Sequence, residues 1–271
     1  MNMIDFIYDN KRLSEFGLML VDFSTENEKI NVANELNGNN VRAVDADHWW
    51  RIAPQYQDVF EYTFSVGRDP CGPMGEEEIS DIEIRKVMQW LNRRGFHEFI
   101  PVYADKEFSR CFFMATFNCQ VVRWGQTVVG FILQMTTNAP WAYGDRETFE
   151  GTMGPDTPFE IKSTSDDYGY IYADCEIEPL SGGEVIISNE LEPEYLIAIN
   201  NTSAGNIYKM HEHTKQLEVI QGSHYKLPND FNYNFLRICN YPDSRTNVFT
   251  STVPVKIKIS YLPIRKVGMV G

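Results

Sequence analysis

The hydrophobic period of this chain changes in one place only. Apolar side chains return at every second position in segment after segment, as in Ile4, Phe6 and Tyr8, or Phe60, Tyr62, Phe64 and Val66. That spacing lines one face of a pleated strand. Across residues 76–94 the spacing stretches to three and four, and Ile79, Ile82, Val87, Met88 and Leu91 form the stripe of an amphipathic helix. A chain with one helical stripe among many alternating segments must build its core from sheets. The expectation is a mainly β protein with a single α-helix. An aromatic content of 13% agrees with it, because broad rings pack well on a pleated face.

Local signals divide the chain further. Asp9-Asn10-Lys11 reads as a tight turn after the first strand, residues 13–21 as an extended piece broken by Gly17, and Asn37-Gly38 as a hairpin turn. Glu76, Glu77 and Glu78 crowd the predicted first helical turn, Arg93 and Arg94 close the last, and Gly95 is placed to cap it. Each of these complements the helix dipole or its unpaired end groups, which accounts for the acidic run without a ligand. Residues 99–103 read as a strand, and 111–124 with 126–137 as a long hairpin turning at Trp124-Gly125-Gln126. Pro140, Gly144, Gly151, Gly154, Pro155 and Pro158 then mark a domain boundary or an extended connection. Beyond them, short strands at 159–161, 169–173, 184–187, 195–200, 205–210, 216–220, 235–238 and 254–262 predict a jelly-roll β-sandwich. Two domains are expected, residues 1–145 with the helix in a β-sandwich-like fold and residues 146–271 as the second sandwich.

Charge and cysteine usage narrow the function. With 38 acidic against 24 basic residues the net charge is -14. Such a surface repels phosphate backbones, so no specific nucleic-acid binding is expected. The five cysteines (Cys71, Cys111, Cys119, Cys175, Cys239) form no CxxC pair, so neither a zinc site nor a disulfide framework is indicated. The first nine residues lack a charged segment leading into an apolar core, and no apolar run approaches the ~20 residues of a membrane helix. No membrane contact is expected, and the chain should fold in a reducing cytoplasm with free thiols.

Candidate chemistry is sparse. On a strand, His211 and His213 would share a face and could ligate a metal, with His224 as a distant third, although such pairs in polar segments are ordinarily surface histidines. Asp45/Asp47 and Asp166/Asp167 are paired carboxylates, but neighbours in sequence rarely stand about 5–10 Å apart across a sugar, and Asp166-Asp167-Tyr168-Gly169 reads as a turn. The sequence has no G-x-S-x-G elbow, P-loop or G-x-G-x-x-G motif. Trp49, Trp50, Tyr168, Tyr170 and Tyr172 could stack on sugars, yet alternating aromatics in a sandwich are ordinarily core. No catalytic, cofactor-binding or metal-binding residue is assigned, and no cofactor or enzymatic activity is expected.

Three segments in register carry a resemblance. The opening Phe6-Ile7-Tyr8-Asp9-Asn10-Lys11-Arg12-Leu13-Ser14-Glu15-Phe16-Gly17-Leu18, the helix Val87-Met88-Gln89-Trp90-Leu91-Asn92-Arg93-Arg94-Gly95, and the exit Gly130-Phe131-Ile132-Leu133-Gln134-Met135-Thr136-Thr137-Asn138-Ala139-Pro140-Trp141-Ala142-Tyr143-Gly144 are similar to the first domain of siphophage distal tail (Dit) proteins. The second half resembles that family's galectin-like or carbohydrate-binding-module-like domain in architecture. It departs at Asn189-Glu190-Leu191-Glu192, where relatives carry an Asn-x-Gly-Asp-type turn. The resemblance implies a structural tail protein of a phage or prophage, made in the host bacterial cytoplasm. It would form a homohexameric hub joining the tail tube protein to the tail tip, tail-associated or baseplate proteins. The alternatives are a carbohydrate-binding host-recognition module, with a host surface carbohydrate as partner, and an undetected hydrolase or metal enzyme.

Overall fold

The computed structural model describes residues 3–21, 36–41, 50–56, 59–68, 78–103, 111–221 and 230–266. Strand β1 (Met3–Tyr8) meets β2 (Lys11–Arg12) through a two-residue turn in which Asp9 and Asn10 both have positive φ, 49° and 63°. Asn and Asp tolerate that region better than other non-glycine residues, which is why the dipeptide marks the turn. The next segment departs from the extended expectation. Leu13–Phe16 is a 3-10 turn ended by Gly17 at φ 65°, and only Leu18–Val21 is strand, β3. The turn directs Leu13 and Phe16 together inward, where Leu13 is fully buried and Phe16 stacks on Trp90 with ring centres 4.3 Å apart.

Strands β4 (Leu36–Val41) and β5 (Trp50–Tyr56) pair with each other. Asn37-Gly38 therefore lies inside β4, at a register shift between Asn37 and Asn39, rather than at the turn. An interior glycine is as suited to a bulge as to a hairpin turn. Strand β6 (Glu61–Arg68) leads to helix α1 (Asp81–Leu91), which is shorter than predicted. Ser80 caps its start in a capping box with Glu83, and the acidic residues of the first turn are Asp81 and Glu83. Asn92 closes the helix, no basic residue occupies its last turn, and Gly95, with φ 81°, lies beyond it. Because the helix begins at Asp81, Val87, Trp90 and Leu91 are its buried residues, while Ile82 faces water. The Trp90 indole donates to the Tyr8 carbonyl at 2.7 Å, and Arg93 pairs with Asp9.

Strand β7 (His97–Tyr103) and the long pair β8 (Phe113–Trp124) and β9 (Thr127–Thr137) complete a seven-stranded antiparallel sheet in the order β2-β1-β7-β8-β9-β6-β3. The hairpin turns where predicted, with Trp124 opposite Thr127 and Gly125 at φ 64°. The sheet curls so that β3 packs back against β1. Phe6, Tyr8, Phe99, Phe113 and Phe117 fill the interior, with Phe6 stacked parallel to Trp90 at 5.6 Å. The short β10 (Ala142–Tyr143) bonds back to Phe112.

The chain divides into one unit of Met1–Gly144 with Arg265–Gly271 and another of Asp145–Ile264. In the second, strands β11 (Glu147–Met153), β12 (Phe159–Lys162) and β13 (Gly169–Tyr172) pair in nested order with β21 (Val255–Tyr261), β20 (Thr246–Ser251) and β19 (Arg237–Asn240). Between them lie β14 (Asp174–Pro179), β15 (Gly183–Asn189), β16 (Glu192–Thr202), β17 (Ile207–Met210) and β18 (Leu217–Gln221), and β22 (Ile264–Arg265) follows β21. The first three strands folding against the last three is the rolled-hairpin logic of a jelly roll. The two main sheets are β11-β21-β14-β17-β18 and β12-β20-β15-β16, and both supply one core, through Ile177, Ile257 and Ile259 on one side and Val185, Ile187, Ile197 and Phe249 on the other.

Three strands of this unit escaped the sequence reading. Strand β11 lies within the glycine- and proline-marked stretch, and β14 is separated from β13 by Ala173 alone. The third, β20, turns Asn247, Phe249 and Ser251 inward, so its buried face looks polar in sequence. Asn247 is satisfied in the core by Asn189 and by the Cys239 backbone, at 2.7–2.9 Å. Cys111, Cys119, Cys175 and Cys239 are free thiols, and burial pushes Cys111 and Cys119 up to about 11. Cys71 lies outside the described residues.

Candidate functional site

The outer face of the five-stranded sheet shows what a sheet left to solvent looks like. Glu150 (β11), Lys258 (β21), Glu176 (β14), Lys209 (β17) and Glu218 (β18) stand in register across all five strands with alternating charge. Lys258–Glu150 is 2.7 Å and Lys209–Glu176 is 3.3 Å, while one row along Lys256 meets Glu178 at 3.1 Å. An open depression of about 450 Å³ lies here, lined by Glu150, Glu176, Glu178, Lys256 and Lys258. Its acids are ion-paired across the sheet, an arrangement that stabilises register rather than positioning an acid and a base on a substrate.

The candidate histidines do not act together. His211 and His213 lie on a turn instead of a strand, and each meets a different carboxylate: His211 pairs with Glu218 at 2.9 Å and His213 with Glu212 at 3.0 Å. Glu212 is buried and also takes Arg146 at 3.0 Å, and Arg146 reaches Asp174 at 3.2 Å. Among the described residues no three His, Cys, Asp or Glu side chains gather as metal ligands would. Asp166 and Asp167 do form a turn, held by the Asn240 amide on the Ser165 and Asp167 carbonyls. Asp45, Asp47, Trp49, Glu76, Glu77, His224 and the Trp50 side chain lie outside the described residues.

The aromatic candidates behave differently from a core. Tyr168 is 58% and Tyr170 48% exposed, and Tyr172 is half-buried. The reason is local topology. Strands β13 and β19 pair as a separate ribbon, with Ile238 turned into the core, Tyr170 turned outward and Tyr172 packed partly against the core. Arg237, opposite Tyr172 in the ribbon, inserts its guanidinium between two rings, 3.4 Å from the centre of Tyr195 and 4.2 Å from that of Tyr170. Glu192 anchors it at 2.8 Å. Lys215 places its ammonium 3.0 Å from the centre of Tyr172. Burial lowers Lys215 to about 8, against the pull of Glu212 and Asp174. Burial likewise raises Tyr172 and Tyr195 despite the opposing charge of Arg237. The sequence reading found the tyrosines but missed Arg237, Lys215 and Tyr195, which come from three further segments with no shared motif.

The N-terminal unit offers an edge. Strand β8 pairs with β7 through Phe113, Met114 and Ala115 only, so along residues 116–124 that side of its backbone faces no other described strand. Val121 is 42% and Trp124 83% exposed along it.

Comparison with known proteins defines the class. Residues 1–139 match a family described as the phage tail protein N-terminal domain, and residues 141–261 one described as the phage tail C-terminal domain. The chain belongs to this family of phage tail proteins. Among solved structures it is similar to the SPP1 Dit protein, described as a paradigm of the hub adsorption apparatus of phages that infect Gram-positive bacteria. The TM-score is 0.64 at 8% identity, over 96% of this chain and 99% of that one, so the two share a fold. The phage P2 baseplate, activated with Ca, aligns at 10% identity over 96% of this chain and 98% of that one, with a TM-score of 0.43, too low to carry an argument. None of the curated proteins matches the sequence.

Proposed function

We propose that the chain is a structural, non-enzymatic subunit of the phage tail hub, a homohexameric ring joining the tail tube to the tail tip or baseplate. The N-terminal unit forms the ring around a channel, and the C-terminal sandwich is a carbohydrate-binding-module-like domain. The observation that carries this reading is the edge of β8 that no other described strand pairs, about 30 Å of backbone at strand spacing, with Val121 and Trp124 exposed along it. Such an edge invites pairing with another chain, and a closed ring of head-to-tail contacts covers every copy of it. The charge of -14 suits a lumen through which DNA slides without sticking. The test is light scattering on a size-exclusion column with negative-stain imaging, on the chain alone and with its tail tube protein. Six copies of the 31.3 kDa chain, roughly 188 kDa in a ring with a central hole, are expected; a monomer under both conditions overturns the ring.

A carbohydrate-binding, host-recognition role of the C-terminal sandwich is favoured separately by the exposed rings of Tyr168 and Tyr170. A glycan array tests it.

A further inference from the structure

We infer that the tyrosine ribbon of the C-terminal sandwich is a binding site for an anionic saccharide, its sugar faces stacking on Tyr168 and Tyr170 and its acidic group meeting Lys215 beside Arg237. This rests on the carbohydrate-binding reading of the sandwich and not on the ring. Four observations support it. First, Tyr168 and Tyr170 expose their rings at the start of β13, and Tyr170 lies edge to face with the half-buried Tyr172, centres 5.5 Å apart. Sugar C–H faces pack on rings of this kind while the rings keep a polar tip in water.

Second, the cations are held unusually. Lys215 has φ 51°, a left-handed backbone that costs a non-glycine residue stability and persists only where its surroundings fix it. Its ammonium lies over Tyr172 and 5.8 Å from the Phe235 ring, and it makes no ion pair with any described carboxylate. Third, the nearby acids are engaged elsewhere, Asp174 and Glu212 with Arg146 and Glu192 with Arg237. Arg237 also keeps a buried Nε without a hydrogen-bond partner. Fourth, the contrast with the charge-laddered outer face is sharp, since there every lysine of the rows has an opposite-strand glutamate. A cation held over a ring at the surface with no described carboxylate paired to it, in a chain with an excess of acids, is a position that an incoming carboxylate or phosphate completes.

The charge also sets a pH dependence. The groups facing Lys215 are Tyr172 of β13, Asp174 of β14 and Glu212 of its own turn. Lys215 loses its proton above about pH 8, so affinity for an anionic ligand falls there, whereas affinity for a neutral one does not.

The experiment is titration of the full chain with tetragalacturonate, a mannose-phosphate oligomer and maltotetraose, followed by calorimetry, at pH 7 and pH 9.5. Binding of the uronate alone identifies a carboxylate sugar, binding of the phosphate oligomer alone a sugar phosphate, and either supports the site. Lys215→Met, which keeps an apolar stem over Tyr172, and Tyr170→Ala are each expected to weaken binding at least tenfold. Their thermal melts should stay within a few degrees of the parent, because both side chains are solvent-exposed. Binding of maltotetraose as tight as that of the anions, or anion binding that both variants leave intact, overturns the site while leaving a sugar-binding sandwich standing. No binding of any of the three overturns both.

Discussion

Glu83 shows how much one carboxylate can hold. It accepts from the Ser80 backbone at 2.9 Å and the Ser80 hydroxyl at 2.7 Å, and it pairs at 3.0 Å with Arg68, whose side chain is only 5% exposed. Arg68 also donates to the Glu78 carbonyl, so β6 and the start of α1 are tied through one residue pair. Burial pushes the Glu83 carboxyl up, but the bonds from Ser80 and the guanidinium of Arg68 outweigh it and hold it below the ordinary value of 4.5. A lowered carboxylate stabilises the fold fully above its unfolded value and loses that contribution as pH falls through the folded value. Urea melts should therefore weaken as pH drops below about 4.5, and Glu83→Gln should remove part of that slope. At pH 7 the same substitution should cost about 2–3 kcal/mol, because it removes the charge paired with a buried arginine, while the glutamine oxygen can still accept from the Ser80 backbone. A melt unchanged at pH 7 would show that Arg68 finds another partner. The sequence reading placed the helix start on the triple glutamate and passed over Ser80-Asp81-Ile82-Glu83, the S-x-x-E pattern that caps it. Charge at a helix start is common, whereas a reciprocal cap fixes the first residue, and here it shortened the predicted helix by several positions.

Glycine punctuation misled at the scale of the strand. Gly151 belongs to a cluster of glycines and prolines, yet it sits inside β11, paired opposite Ile257. It is there because the Phe159 ring of β12 lies over it, and a Cβ at 151 would come 2.5 Å from that ring. A glycine that admits a neighbouring ring and a glycine that makes a turn look alike in sequence. Gly151→Val should destabilise the C-terminal unit by about 1–3 kcal/mol through overpacking. Combining it with Phe159→Ala should then cost less than the two single changes summed, since the clash disappears with the ring. Additive losses, read from denaturant melts, would mean that Gly151 serves some other purpose. Where alternation carried the signal without such exceptions, as in Phe60 to Val66 and the two arms of the long hairpin, the strands lie where the sequence put them. The tyrosine ribbon was half legible for a similar reason. Alternation located β13 but not which face it turns outward, since that depends on pairing with β19 some seventy residues later.

For the whole molecule, the mainly β architecture with one helix followed from periodicity, but the identity of its partners did not, because partners act on surfaces that periodicity does not describe. The edge of β8 that no other described strand pairs turns that into a question of assembly. In a ring every subunit gives one edge and receives another, so a change on the giving edge blocks closure without touching the core of the subunit that carries it. Val121 and Trp124 project from this edge and contribute little to the folded monomer. Val121→Lys with Trp124→Glu places opposite charges where an adjoining strand would have to pack, and charged side chains are a general means of keeping sheet edges apart. The expected result is a chain that melts like the parent but elutes as a 31.3 kDa monomer under conditions where the parent forms rings. Rings that survive the double change would place the subunit contact elsewhere on the N-terminal unit, most directly along β3, the opposite edge of the same sheet. A lower melting temperature together with loss of rings would instead show that the hairpin end is part of the monomer's own fold, and Trp124→Ala alone would then separate the two effects.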